Sequence, residues 1–565
     1  MEARNSRFVI KLLPSMTDFA FLMPILYLFG RMGGMQTLLS DCDTGWHIRT
    51  GQWIASNRLV PVRDLFSFSK PEGIWYAWEW LSDLLFSWLY ARGGLAGIAL
   101  TSILIISVTF TIVFRQARLN SNAIIAILVT MTAAAASSIH WLARPHLFTL
   151  LFLALFCAAL ERARAGQTKY LWALPTATAL WTNLHGGFVV GIVMAGAYGT
   201  GELLKMVLDP DAATRRLARR ASQRYFLCAF ACLAASLINP YTYHLHLHLF
   251  EYLRDPYASQ HIQEFLSVSF HHPIGLFFES LLLLGAGTAF WNFRRRSYVE
   301  AVLIVVFAHG ALLAARNIPL YTVVAAPPIA AMLAEWLALV PQFEAAARFR
   351  DAARKFNSAA SGLTETDRIA RWHLLSGAGV ALLAALLFAP HPPKAFRPEF
   401  DPKNYPAAAV ARISRGELGV TASAHIFTSD QWGDYLIYRL YPRMRVFIDG
   451  RSDYYGADFE QKAVDALNVK YGWEDTLARF SVDTILLPPS TPLTGALKLS
   501  NRWRLVYDDG VALVFRYIAV QQPAGADGDI RVSTIPAMDR GKSRDREVTK
   551  TEVSDPAIVR SKTTT

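Results

Sequence analysis

Ser40-Asp-Cys-Asp-Thr-Gly-Trp-His-Ile-Arg-Thr-Gly51 opens a polar stretch that closes at Trp75-Tyr-Ala-Trp-Glu-Trp-Leu81. Lying between the first two long apolar segments, it sets three carboxylates, Asp41, Asp43 and Glu79, beside a belt of tryptophans. Acidic side chains held at a bilayer surface among aromatic rings are costly unless they are solvated or put to use. The stretch reads as a candidate active site, and the rest of the chain as the frame that holds it at the membrane surface.

The apolar segments decide the class. Over 565 residues the chain is 53% hydrophobic and only 18% charged, and its repeated apolar runs of about 18 or more residues are long enough to cross a bilayer. This is the pattern of an α-helical polytopic membrane protein. The formal net charge of +12 is divided among short basic blocks between apolar runs, as in cytoplasmic loops, so nucleic acid is not an expected partner. Of Cys42, Cys157, Cys228 and Cys232, three fall inside apolar runs. No disulfide framework or metal pattern can be built from them.

Arg4, Arg7 and Lys11 precede the first apolar run, which reads as an uncleaved span entered from the cytoplasm. Further basic blocks at 115–118, 162–169, 215–224, 294–296 and 348–355 alternate with neutral connections. Positive-inside sorting then gives about eleven transmembrane helices within 1–390, with the N-terminus cytoplasmic and the loop 31–82 on the outer side. Residues 170–204, broken by Asn183-Leu-His-Gly-Gly187, are either two spans or a re-entrant pair.

From residue 391 the composition is that of a soluble α/β domain, expected to be extracytoplasmic and to run to residue 520. Strands are expected at 424–429, 445–449 and 482–487, and helices at 432–440 and 459–480. A hairpin is expected around Asp508-Asp-Gly510. The tail, 521–565, is rich in Ser, Thr, Lys, Arg and Asp and reads as disordered.

In an extended backbone Asp41 and Asp43 point the same way, so together they can grip one divalent ion, such as Mg or Mn, or one acceptor hydroxyl. Alternatively Asp43 caps a helix over 44–57, a role compatible with the first. Trp46 and Trp53, two turns apart, suit a helix lying in the headgroup layer. Glu79, between Trp78 and Trp80, is expected to have a raised pKa fit for a proton carrier, unless Arg49 or Arg63 pairs with it. Asp64 and Asp83 read as turn and helix-start residues.

Arg144 and Arg316 stand at outer ends of spans, against the sorting rule. Each alone could snorkel to headgroups; together they point to an anionic ligand such as a phosphate. The run His244, His246, His248 reads as wet histidines on an interfacial helix in preference to a zinc site. Asp449, Arg451 and Asp453, just after an expected strand, are either a ligand site or an internally paired turn.

With Asp-Thr-Gly-Trp-His-Ile-Arg-Thr-Gly51, Trp-Glu-Trp-Leu81, Asn-Leu-His-Gly-Gly187, Ala-Arg-Asn-Ile-Pro319 and Phe-Ile-Asp-Gly-Arg451, the layout resembles the GT-C superfamily of membrane glycosyltransferases. Its relatives include oligosaccharyltransferase catalytic subunits, protein O-mannosyltransferases and aminoarabinose lipid A transferases. The resemblance implies transfer of a sugar from a polyprenyl-phosphate donor, reached from the lipid bilayer, to an extracytoplasmic acceptor such as a glycan, lipid or protein. Asp41, Asp43 and Glu79 would be catalytic and Arg144 and Arg316 would hold the donor phosphate. His47, His146, His185, Asn183 and Asn317 would contact substrate. A divalent ion on Asp41 and Asp43 would go with a diphosphate donor; a monophosphate held by arginines needs none. Two departures, no tryptophan-rich acceptor signature and no adjacent Asp-Glu pair, make protein N-glycosylation an unexpected outcome. The alternative class is a lipid-linked glycan flippase or a glycolipid-binding scaffold; a flippase would usually show internal repeats, and the two halves show none.

Overall fold

The computed structural model describes residues 11–340, 347–369 and 372–518. The expectation of disorder for 521–565 lies outside the described residues, as do Arg4 and Arg7. Helix α1 (Met16–Arg31) begins with a capping box, in which Ser15 Oγ accepts from the Asp18 amide and Asp18 Oδ2 accepts from the Ser15 amide. The loop helix α2 (Asp43–Asn57) follows, and then α3 (Trp80–Leu119), interrupted at Gly94, whose φ of 58° only glycine adopts freely. The bundle continues with α4 (Ala123–Ser137), α5 (His146–Arg164), α6 (Ala173–Leu184), α7 (Val189–Leu208) and α8 (Ala212–Ala235). It is completed by α9 (Tyr243–Arg254), α10 (Gly275–Arg294), α11 (Tyr298–Leu313), α12 (Ile318–Leu339), α13 (Ala347–Ile369) and α14 (Leu374–Leu387).

Among the described residues, six helices are long and apolar enough to cross a membrane: Trp80–Leu119, Ala123–His140, His146–Arg164, Gly186–Leu208, Gly275–Arg294 and Ala315–Leu339. Two shorter apolar helices, Tyr298–Leu313 and Leu374–Leu387, accompany them. The protein is an integral helical membrane protein, but by length and apolarity it does not reach the expected eleven spans. One reason is α8, which runs through the basic block 215–224 without a break, because Ala and Arg are strong helix formers and no Gly or Pro stops them. Another is α6, only 12 residues long. It ends where His185 turns extended (φ −165°), and a short 3-10 turn, Gly186–Phe188, leads into α7.

The C-terminal region forms a four-stranded sheet in the order β1-β2-β4-β3: β1 (Ile426–Phe427), β2 (Thr484–Leu487), β3 (Trp503–Asp508) and β4 (Leu513–Tyr517). β1 and β2 are parallel, and the other neighbours antiparallel. The expected hairpin is present as β3 and β4. The expected strand at 445–449 is not; Val446 makes only isolated bridges, to Ser67 of the first long loop and to Ile426. The single helix expected over 459–480 is two, Ala457–Leu467 and Trp473–Arg479, parted where Val469 and Gly472 take positive φ. Between β1 and Val446 lies α15 (Asp430–Leu440), which packs on α2. Gly45 permits that approach: a Cβ there would stand 2.6 Å from Tyr438 Cβ.

A buried arginine fastens the C-terminal region to the loop. Arg451 donates to Asp449 Oδ1 and Oδ2 and to Asp64 Oδ1, each at 2.7 Å, and its guanidinium lies 4.5 Å from the Trp75 ring and 4.9 Å from Phe66. Asp64 in turn accepts from the Phe66 and Ser67 amides. Within Phe447–Gly456, Arg451 thus pairs internally with Asp449 and externally with Asp64, while Asp453 meets His248. Arg451→Ala would strand two buried carboxylates without a cation, a change that costs about 3–5 kcal/mol. Detergent-purified Arg451→Ala is expected to melt well below wild type, and Arg451→Lys, which lacks the planar fork, to restore little of the difference.

Candidate active site

The carboxylates of the first loop are assembled at one end of the bundle. Asp43 is the first residue of α2, and Asp41 Oδ1 accepts its amide at 3.0 Å. The helix start is therefore satisfied by Asp41, not by Asp43 as expected. The connection between α4 and α5 is stitched to this turn: the Ala143 amide donates to Leu38 O, and Thr44 Oγ1 donates to Ala143 O, both at 2.8 Å. That delivers Arg144 between the two aspartates, with Nη1 2.7 Å from Asp41 Oδ2 and Nη2 2.7 Å from Asp43 Oδ2.

Arg316, from the turn before α12, joins the group through Glu264. Arg316 Nη1 is 2.9 Å from Glu264 Oε1, while Glu264 Oε2 is 3.6 Å from Arg144 Nη1 and 3.5 Å from His140 Nε2. Burial opposes the charge of Arg144, but Asp43, Asp41 and Glu264 outweigh it and hold its pKa above the usual value. Burial likewise disfavours charge on Glu264, but Arg316 and Arg144 bring its pKa down to about 2. It is an anion at neutral pH.

Glu79, directly before α3, is enclosed by two histidines. His185 Nε2 lies 3.4 Å from Oε1 and His47 Nε2 3.5 Å from Oε2. His185 Nδ1 accepts from the Gly187 amide at 3.0 Å, which leaves the ring proton on Nε2, facing Glu79. His47 Nδ1 is 2.6 Å from Asp83 Oδ1. Burial keeps both imidazoles neutral, His185 with a pKa near 3, and pushes the Glu79 carboxyl up to about 8, Arg144 opposing. Asp83, His47, Glu79 and His185 form a buried chain able to pass a proton. Neither alternative partner reaches Glu79: Arg49 donates to Tyr438 O and Gln52, and Arg63 to Glu72 O.

The C-terminal region adds Asp434, from α15. Its Oδ1 accepts from the Gly450 amide at 3.0 Å; its Oδ2 and Asp43 Oδ1 are buried without a donor and both border Gly450, where a Cβ would lie 2.8 and 2.6 Å from them. Burial raises both carboxyls; Arg144 opposes it at Asp43, whereas the charge of Asp43 adds to it at Asp434. Asp434 is therefore the harder of the two to ionise.

The other sequence-predicted residues are more peripheral. His146 Nε2 donates to His140 O at 2.8 Å, and the two rings lie 4.2 Å apart. Asn183 donates to Ala179 O and Ile238 O and accepts from Trp80 Nε1, and Asn317 donates to Gly310 O, so both amides serve helix ends. On α9, His248 meets Asp453 at 3.1 Å and His246 meets Ser236, while His244 is exposed. Among the described residues no group of three or more His, Cys, Asp or Glu could hold a metal ion. The place between Asp41 and Asp43 is filled by a guanidinium, so the residues present do not fit a divalent ion there. Glu264, His140 and Asp434 were not singled out from the sequence, and Asp83, expected as a helix-start residue, lies in the first turn of α3 and also contacts His47.

Because native Glu79 keeps its proton up to about pH 8 while an unfolded glutamate loses it near 4.5, this group favours the native state below pH 4.5, and its contribution is lost as pH rises toward 8. Melting temperature between pH 7 and 8.5, above the histidine range, is expected to fall less steeply in Glu79→Gln than in wild type. Parallel slopes would show that Glu79 is not the titrating group.

An apolar helical bundle with an acidic, arginine-paired cluster at one end and a small α/β region seated over it defines an integral helical membrane protein with a buried charged site. No protein-family model matches the sequence, and no curated protein matches it. Solved structures do. An Archaeoglobus fulgidus oligosaccharyltransferase in the apo form superimposes with a TM-score of 0.52 at 11% identity, over 83% of this chain and 69% of that one. AglB from the same organism, in complex with an inhibitory peptide and a dolichol-phosphate, gives 0.50 at 13% identity, over 91% and 74%. ArnT from Cupriavidus metallidurans gives 0.47 at 15%, over 88% and 96%. The chain has the fold of the GT-C membrane glycosyltransferases, the superfamily that its first long loop resembles.

Proposed function

We propose that the protein is an inverting glycosyltransferase of a bacterial inner membrane, moving a sugar from a polyprenyl-phosphate donor to an acceptor on the extracytoplasmic side, where residues 391–518 also lie. The observation that carries this reading is Arg144 bridging Asp41 and Asp43 beside Arg316. It puts a base and an anion seat in one cluster at the bundle end. The acceptor hydroxyl attacks the anomeric carbon from the face opposite the phosphate and gives its proton to Asp43 or Asp41. The bond from the anomeric carbon to the phosphate oxygen breaks with its electron pair on the phosphate, and Arg316 and Arg144 stabilise the departing charge. Asp41 and Arg144 position Asp43, and the Arg144 guanidinium favours ionisation of Asp43 over that of Asp434. The chain from Glu79 to Asp83 moves protons at the mouth of the site. The dolichol-phosphate named for AglB supports a lipid-phosphate donor for this fold.

The test is mass spectrometry of envelope lipids and glycans from cells lacking the protein and complemented with wild type, Asp41→Asn, Asp43→Asn or Glu79→Gln. A glycan that disappears and returns only with the intact carboxylates identifies the product. Full restoration by all three variants would transfer the assignment to a flippase or a glycolipid-binding scaffold.

A further inference from the structure

Glu264 occupies the position that the donor phosphate needs. It sits in the 3-10 turn Gln263–Phe265, and its two oxygens reach Arg316 (2.9 Å), Arg144 (3.6 Å) and His140 (3.5 Å), as two oxygens of a phosphate would. The turn itself is anchored. The Ala315 amide donates to Leu266 O at 2.9 Å, and Ser267 Oγ donates to Leu312 O at 2.8 Å. Arg316 also lies over the Phe265 ring, 4.5 Å from its centre. A ligand can therefore remove the Glu264 carboxylate by side-chain rotation, with the backbone in place.

Charge makes the exchange necessary. Arg144 already faces Asp41 and Asp43, so with Glu264 present an arriving phosphate meets three carboxylates against two guanidiniums. We propose that Glu264 is an exchangeable internal anion, which the donor phosphate displaces from Arg316 and Arg144 and which returns to expel the product. This rests on the donor reading above. A sugar-linked phosphodiester carries one negative charge, whereas the polyprenyl phosphate released by transfer is a monoester carrying about −1.5 to −2. Two arginines alone would therefore hold the product more tightly than the substrate. A carboxylate competing for the same donors weakens both complexes, and by covering the vacated arginines it favours product release.

The experiment uses the full-length protein in lipid nanodiscs with undecaprenyl phosphate as probe, and compares wild type, Glu264→Gln, Glu264→Asp, Arg316→Ala and the Glu264→Gln/Arg316→Ala double variant. Glu264→Gln is expected to bind undecaprenyl phosphate about tenfold more tightly, roughly the effect of removing one partly screened competing charge. Glu264→Asp, which retracts the carboxylate by one methylene and keeps the charge, should tighten binding less. The gain should vanish when Arg316 is also replaced, and undecaprenol, lacking the phosphate, should bind all variants alike. In turnover Glu264→Gln should show stronger product inhibition than wild type. Unchanged or weaker affinity in both Glu264 variants, with Arg316→Ala still weakened, overturns the exchange and leaves the donor site standing. A slowed first turnover would make Glu264 part of the chemistry and also overturns it. Failure of wild type to distinguish undecaprenyl phosphate from undecaprenol removes the donor reading and the exchange together. Complete competition by an equal concentration of inorganic phosphate overturns the lipid assignment in favour of a soluble ligand.

Discussion

Asp43→Asn is expected to lower sugar transfer by about 10²–10⁴-fold, the range for losing a positioned general base, without lowering the melting temperature. The second half of this expectation comes from Asp434. In the native protein Asp43 Oδ1 and Asp434 Oδ2 are buried acceptors that both border Gly450, neither with a donor. An asparagine at 43 is expected to supply an N–H to Asp434 Oδ2 and to keep a carbonyl oxygen for Arg144. The substitution would thus satisfy a buried acceptor as it removes the base. Transfer measured with purified variants, alongside thermal unfolding in the same detergent, checks both halves. Activity above a tenth of wild type would assign the proton to Asp41.

Arg316→Ala is expected to reduce turnover by roughly 10²–10³-fold, as deletion of one preorganised donor to developing charge does elsewhere. The loss should fall on kcat more than on KM, because the leaving phosphate gains charge as the glycosidic bond breaks, and Arg316 is worth most at that moment. Lysine at 316 should recover only part of the rate, since a single ammonium does not reproduce the planar fork. Arg144 is the less informative target. Its removal also leaves Asp41, Asp43 and Asp434 clustered without a cation, so folding and chemistry would fail together. If Arg316→Ala raised KM with kcat intact, Arg316 would be binding substrate and transition state equally.

Much of the site was legible in the sequence because its members break local rules. Asp41, Asp43 and Glu79 are charges among tryptophans, and Arg144 and Arg316 are cations where sorting disfavours them. Each is anomalous within a few residues of its own position. Glu264 and Asp434 are not: a glutamate in a polar connection and an aspartate near a helix start are ordinary in their surroundings, and they acquire meaning only from partners on other elements, Arg316 and Arg144 for Glu264 and Asp43 for Asp434. The fold divides in the same way. The β3–β4 hairpin follows from Asp508-Asp-Gly510, a signal complete in itself. The turn at Phe447–Gly456 left two readings open, because its decisive partner is Asp64. The expected number of spans rests on apolar runs counted one by one, and length and apolarity alone single out fewer helices among the described residues, partly because α8 carries its basic and apolar halves on one continuous helix.

The bridge from Ser67 to Val446 has a consequence for how the protein is made. Phe68 donates to Val446 O, and Lys70 donates to Tyr454 O, so the loop is closed by segments about 380 residues further along. At synthesis rates of about 5–20 residues per second, those segments follow the loop by roughly 20–80 s. During that time the bundle helices can enter the bilayer, but Asp43 has no Asp434 opposite it, and Asp64 has no Arg451. A chain interrupted before residue 434 would be a membrane-inserted bundle with an open, incomplete site. The last third of the polypeptide thus acts as a ripening signal, and a ribosome must finish its work before this cluster is whole.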